Sequence, residues 1–160
     1  MMVLEAVELK KQGKTAEDIV EWAKTEVDHF AMYFMAEDLK FFHRSGRVSG
    51  LSATMGTLLG IRPIIYMSPE GKMVSVGKEK GRKKAVQHLV NKVIELGDDV
   101  KAHGIVLGHT DNDEVVAEIV AALKAHFGDD LSIYDVPTNP TAGSHCGAGG
   151  VGVAFHSVSR

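Results

Sequence analysis

Apolar positions along the chain recur at two spacings, and each spacing predicts its own elements. Ile19, Ala23, Val27 and Phe30 follow Thr15-Ala16-Glu17-Asp18, a hydroxyl cap with an acidic first turn, which predicts a helix. Ala31 to Ala36 is an apolar run of strand length, and Glu37 to Arg44 predicts a brief helix ended near Gly46. Arg62 to Ser68 and Met73 to Val76 read as strands joined by the turn Pro69-Glu70-Gly71-Lys72. Lys83 to Leu96 is the clearest helix, with Val86, Leu89, Val90, Val93 and Ile94 in one stripe and Gly97 as its stop. His103 to His109 predicts a buried strand. Asp111 and Glu114 have the spacing of a capping box, opening a helix with the stripe Val115, Ile119, Ala122 and Leu123. Leu131 to Val136 is the next strand, and the glycine-rich stretch Gly143 to Gly152 leads into a last one, Val151 to Phe155.

Hairpin-linked strands and a strand-helix-strand crossover occur in the same chain. The expected fold is therefore α/β (α+β): a mixed β-sheet of about five or six strands covered by helices. No repeat or low-complexity tract interrupts the 160 residues, so residues 1–160 read as a single domain. Hydrophobic residues make up 44% and charged residues 24%, which excludes a disordered or collagen-like chain. The net charge of -3 gives no overall basic field for nucleic acid. The longest uncharged stretch, Val48 to Ile61, is too short and too polar to span a bilayer, so no stable membrane insertion is expected. One cysteine, Cys146, and no signal-peptide pattern point to a cytoplasmic protein.

Several chemistries can be weighed on spacing. Gly147-Ala148-Gly149-Gly150-Val151-Gly152 has the letters of a dinucleotide fingerprint, but an apolar strand follows where that motif needs a helix. The eight histidines and one cysteine show no zinc spacing, so no metal is expected. No nucleophile elbow is present, and Ser49, Ser52 and Thr54 pair with no base in sequence. His145 lies within the glycine-rich run, where a ligand can approach the backbone closely. Arg47 and Arg62 flank a stretch of glycines and hydroxyls, a setting suited to carboxylate or phosphate. The run from Lys78 to Lys84 concentrates cations at a helix N-terminus, the unfavourable end. It reads either as a solvated charge cluster or as a patch facing an anion or a partner.

Five motifs occur in order: Ser45-Gly46-Arg47-Val48-Ser49, Met55-Gly56-Thr57-Leu58-Leu59-Gly60-Ile61-Arg62-Pro63-Ile64, Gly81-Arg82-Lys83-Lys84-Ala85, Leu107-Gly108-His109 and Gly143-Ser144-His145-Cys146-Gly147-Ala148-Gly149. Together they resemble the C-terminal domain of the DegV family of fatty-acid-binding proteins. The resemblance runs from about residue 5 to about residue 156. It implies a two-domain protein whose N-terminal domain is absent from this chain. It also implies a bound long-chain fatty acid, no other cofactor, and service as the lipid-binding subunit of a bacterial fatty acid kinase. The family's carboxylate-holding histidine maps onto His145, and its Gly-Arg-(Ile or Val)-Ser arginine onto Arg47. The basic turn linked to kinase docking maps onto Lys80 and Arg82. The chain carries Ala148 where the family usually has proline, and Lys80 where arginine is common.

The expectation is a binding domain without enzymatic activity of its own. Its ligand contacts would be His145, Arg47, Arg62, Gly143 and Gly147, and its partners a fatty acid, a kinase catalytic subunit and the missing N-terminal domain. Two rivals stand beside it. One is a small-molecule enzyme using Arg47, Arg62 and His145. The other is a purely structural half-domain with an exposed apolar patch and no pocket of its own.

Overall fold

The computed structural model describes residues 1–37, 39–47 and 60–159. The stretch Val48 to Leu59, with Ser49, Ser52, Thr54 and the first half of the Met55–Ile64 motif, lies outside the described residues. The strands are β1 Phe30–Met35, β2 Ile61–Met67, β3 Met73–Lys80, β4 Ile105–His109, β5 Ile133–Pro137 and β6 Val151–His156. The helices are α1 Met2–Lys11, α2 Ala16–Glu26, α3 Lys40–Arg44, α4 Arg82–Leu96, α5 Val100–His103, α6 Asp113–Phe127 and α7 Pro140–Cys146, with a 3-10 turn at Val27–His29. All six strands form one sheet in the order β3-β2-β1-β6-β4-β5. Every pair is antiparallel except β4 and β5, which are parallel and joined through α6. The expected mixed sheet with one crossover is therefore the fold observed.

The two faces of the sheet have different coverings. Strand side chains alternate between faces. Ala31, Tyr33 and Met35 of β1, Val151, Val153 and Phe155 of β6, and Ile105 and Leu107 of β4 all join the main core. They pack under Leu89 and Val93 of α4 and Ile119 and Leu123 of α6, all fully buried. The intervening residues face the other way in two registered rows. Met32 lies opposite Ala154, which lies opposite Val106; Phe34 lies opposite Gly152, which lies opposite Gly108. Among the described residues, this second face is covered only in part, by α3 and α7. There Phe42 of α3 forms a small core with Ala36 and Ile65, and Cys146 of α7 packs against it.

Several local expectations are corrected. Helix α1 was not legible as a stripe; none of its residues is buried, and Glu5 accepts its hold from His103 at 2.8 Å. His103 is not part of β4. Gly104, with φ 69°, breaks the chain after α5, so His103 and His109 share no strand face. His103 stacks instead on His156, ring centroids 3.9 Å apart. The capping box at Asp111 does not form. Asn112 is the N-cap of α6 without a side-chain cap bond, and its Nδ2 donates to the Gly149 carbonyl at 2.7 Å. The glycine-rich stretch is not a loop throughout: Gly143 to Cys146 belong to α7.

Candidate functional site

Helix α7 begins with a strong local signal. Asn139 accepts the Ala142 N–H at 3.0 Å, and Pro140 fills the first turn, where no amide partner is needed. This pair overrides the low helix propensity of Gly143 and Ser144. It puts His145 and Cys146 in the last turn. Gly147 then ends the helix at φ 76°, and a Cβ there would run into the Phe41 ring. Glycine is required at that position on both counts.

The turn after α7 is clasped by β4. Thr110 Oγ1 donates to the Gly147 carbonyl at 2.6 Å and accepts the Gly150 N–H at 2.9 Å. The backbones of Thr110 and Gly150 also pair, at 2.9 Å. Thr110→Val would keep the shape and leave the Gly147 carbonyl and the Gly150 amide without this partner. The expected cost is about 2 kcal/mol, from the penalty for unsatisfied polar groups. Thr110→Ser should recover most of it, as read by urea denaturation of the two variants.

Beneath α7, on the partly covered face of the sheet, lies a cavity of about 380 Å³. Its size falls within the range of about 300–1,000 Å³ usual for small-molecule sites. Met32, Phe34, Met67 and Met73 give it apolar, adaptable walls, while Gly108, Gly152 and Ala154 leave its floor low. Arg47 and His145 both line it. The Nδ1 of His145 is sealed from water and has no hydrogen-bond partner among the described residues. An unsatisfied buried nitrogen is uncommon in a folded protein.

The other expected site residues are placed differently. Arg62 is not among the cavity-lining residues. It makes a forked pair with Glu37, Nε to Oε2 at 3.0 Å and Nη2 to Oε1. Gly143 and Gly147 do not line the cavity either; they shape the helix that carries His145. Arg82 is held by Glu114 at 2.9 and 3.0 Å and by Glu118 at 2.9 Å, which ties α4 to α6. The Arg82 guanidinium holds the Glu114 carboxyl below its ordinary range, chiefly through their hydrogen bonds. Lys80 is exposed at the end of β3. Cys146 also lines the cavity, where burial pushes its thiol above the ordinary value. It is therefore a poor thiolate and an unpromising nucleophile.

One further cluster was missed in sequence. His109 is buried with Asp113 and Asp135 within 3.6 Å of its Nε2. Its Nδ1 accepts the Asn112 N–H at 3.2 Å, so the ring proton sits on Nε2 and points at the carboxylates. That tautomer makes Nε2 a donor rather than a metal ligand.

The arrangement is an apolar cavity on a sheet face, with a histidine and an arginine at its lining. The family model described as "Uncharacterised protein, DegV family" matches residues 1–158, and the chain belongs to that family. It is 31% identical to the DegV domain-containing protein YteA of Lactococcus lactis, over 99% of this chain and 54% of that protein. The fatty acid binding DegV family protein of Streptococcus agalactiae superposes with a TM-score of 0.82 at 26% identity, over 98% of this chain and 54% of that one. The fatty acid kinase B3 protein of Streptococcus pneumoniae, solved with linoleic acid, shares the fold with a TM-score of 0.84 at 22% identity, over 98% of this chain and 54% of that one. The chain thus spans about half the length of the curated relatives it matches. Among the described residues no helix is long and apolar enough to cross a membrane.

Proposed function

We propose that this chain is the C-terminal, lipid-holding half of a fatty-acid-binding protein. The acyl chain lies in the cavity on the partly covered sheet face, and the carboxylate meets the unpaired nitrogen of His145, with Arg47 beside it. The observation that carries this reading is the combination of methionine-rich apolar walls with one sealed, unpartnered imidazole nitrogen. Burying about 15 chain carbons at ~0.8 kcal/mol each gives on the order of 10 kcal/mol before losses. The acyl chain therefore supplies most of the affinity, and His145 and Arg47 set orientation and a smaller share of the affinity.

The remaining enclosure would come from an N-terminal domain matching the part of the relatives that this chain does not span. In the cytoplasm, the assembled protein would present the carboxylate to a kinase catalytic subunit and perform no chemistry itself. Docking of that subunit would fall to the exposed Lys80 more than to Arg82, whose donors are engaged by Glu114 and Glu118. The enzyme alternative is weakened because Arg62 is committed to Glu37 and does not join Arg47 and His145 at the cavity. The structural-half alternative is weakened by the cavity itself.

Mass spectrometry of the full-length protein after native purification should find a bound fatty acid. Delipidated protein should bind added oleate or palmitate. Absence of bound lipid together with no uptake of either acid sinks the proposal.

A further inference from the structure

Two glycines face each other across β4 and β6 on the cavity floor, Gly108 and Gly152. Neither has a backbone conformation that demands glycine, since neither is among the positive-φ residues. Glycine in a strand interior weakens the strand, so each needs another reason. For Gly152 the reason is local packing. A Cβ there would lie 2.9 Å from Phe34 Cβ and 3.4 Å from the Tyr33 carbonyl, too close for any larger residue.

Among the described residues, Gly108 has no such reason. The nearest described atom to a Cβ built on it is Thr138 Oγ1, at 3.8 Å, an ordinary contact. A side chain at 108 would enter the cavity, as that of Val106 does one step along the same face. A residue that the backbone permits and the packing permits is nevertheless missing. What would be lost by adding it is space inside the cavity.

The position of that space can be stated. Gly108 lies two residues before Thr110, which clasps the turn after α7. The row Phe34-Gly152-Gly108 is thus the row nearer His145, and Met32-Ala154-Val106 is the deeper one. We infer that Gly108 is a specificity residue: it keeps open the cross-section through which an unbranched acyl chain passes next to its carboxylate. The inference rests on the fatty-acid reading above and adds the residue that sets the width of the path.

The test is a size series at one position in the full-length protein, Gly108→Ala and Gly108→Val, read by oleate titration and by thermal melting of the delipidated protein. Valine and alanine are better strand residues than glycine, so the melting temperature should hold or rise. Oleate affinity should fall in steps, by a few-fold for alanine and by about tenfold or more for valine, the latter about one decade of Kd. Opposite movements of stability and binding are the signature, because a structural role would lower both. A drop in melting temperature in both variants overturns the inference by showing that the fold needs this glycine. Unchanged oleate affinity in Gly108→Val overturns it as well. If the wild-type protein binds no fatty acid, the fatty-acid reading fails and the width assignment falls with it; if wild type binds and the valine variant binds equally, only the width assignment fails.

Discussion

Replacing His145 with alanine is expected to lower oleate affinity while leaving the affinity for methyl oleate nearly unchanged. The imidazole nitrogen is sealed inside the lining and has no partner among the described residues. A hydrogen bond to a charged group is worth about 1.5–3 kcal/mol, which corresponds to roughly a 10- to 100-fold change in oleate affinity. The ester lacks the carboxylate, and its acyl chain meets the same methionine walls, so its affinity should move by less than about threefold. Lipid retention through purification should therefore survive the substitution better than carboxylate engagement does. In a coupled assay with the kinase subunit, acyl-phosphate formation should slow more than lipid binding weakens. Equal losses for acid and ester would show that His145 shapes the cavity rather than holding the carboxylate.

Phe155→Ala is expected to be the most destabilising of the substitutions considered. Phe155 is fully buried at the middle of the sheet, between Ala31 on β1 and Ile105 on β4, and its ring stacks with Tyr33 at 6.3 Å. Removing a buried aromatic ring costs about 3–5 kcal/mol through lost transfer energy and the cavity left behind. Set against a typical total of about 5–15 kcal/mol, that leaves a marginal domain. Urea denaturation should show the midpoint falling while Phe155→Leu loses less than about half as much. A loss well below about 3 kcal/mol, the lower end of that range, would mean that the core under α4 and α6 is not packed as described.

Much of this architecture was readable from alternation and stripes. Helices α4 and α6 follow from Val86-Leu89-Val90-Val93 and Val115-Ile119-Leu123, and β1 and β6 from short apolar runs. The failures have physical causes. Residues 143–146 look like loop because glycine and serine disfavour helix, yet an Asn-Pro start at 139–140 nucleates one. Asn139 followed by proline was the signal that could have found it. At Asp111 the local rule was outbid by a tertiary contact, since the cap position passed to Asn112 and its amide went to Gly149. Arg62 looked like a ligand residue by its flanking glycines. Its partner Glu37 is 25 residues away in sequence, and no spacing rule reaches that far. For the site, sequence pointed to His145 and Arg47 through family resemblance, whereas the cavity and the idle nitrogen needed the sheet to be folded. As the last residues of a helix, His145 and Cys146 both reach the same lining.

The division between the sheet's faces sets a parity rule for the chain. Along β4 and β6, Ile105, Leu107, Val151, Val153 and Phe155 join the main core, while Val106, Gly108, Gly152 and Ala154 line the cavity. Point substitutions at Val106, Gly108 and Ala154 would therefore reshape the cavity with little tax on folding. Deleting a single residue within β6 has no such freedom. It would shift every later side chain to the opposite surface, sending Ala154 toward α4 and Phe155 into the cavity. The same lesion would hollow the interior and plug the binding space at once.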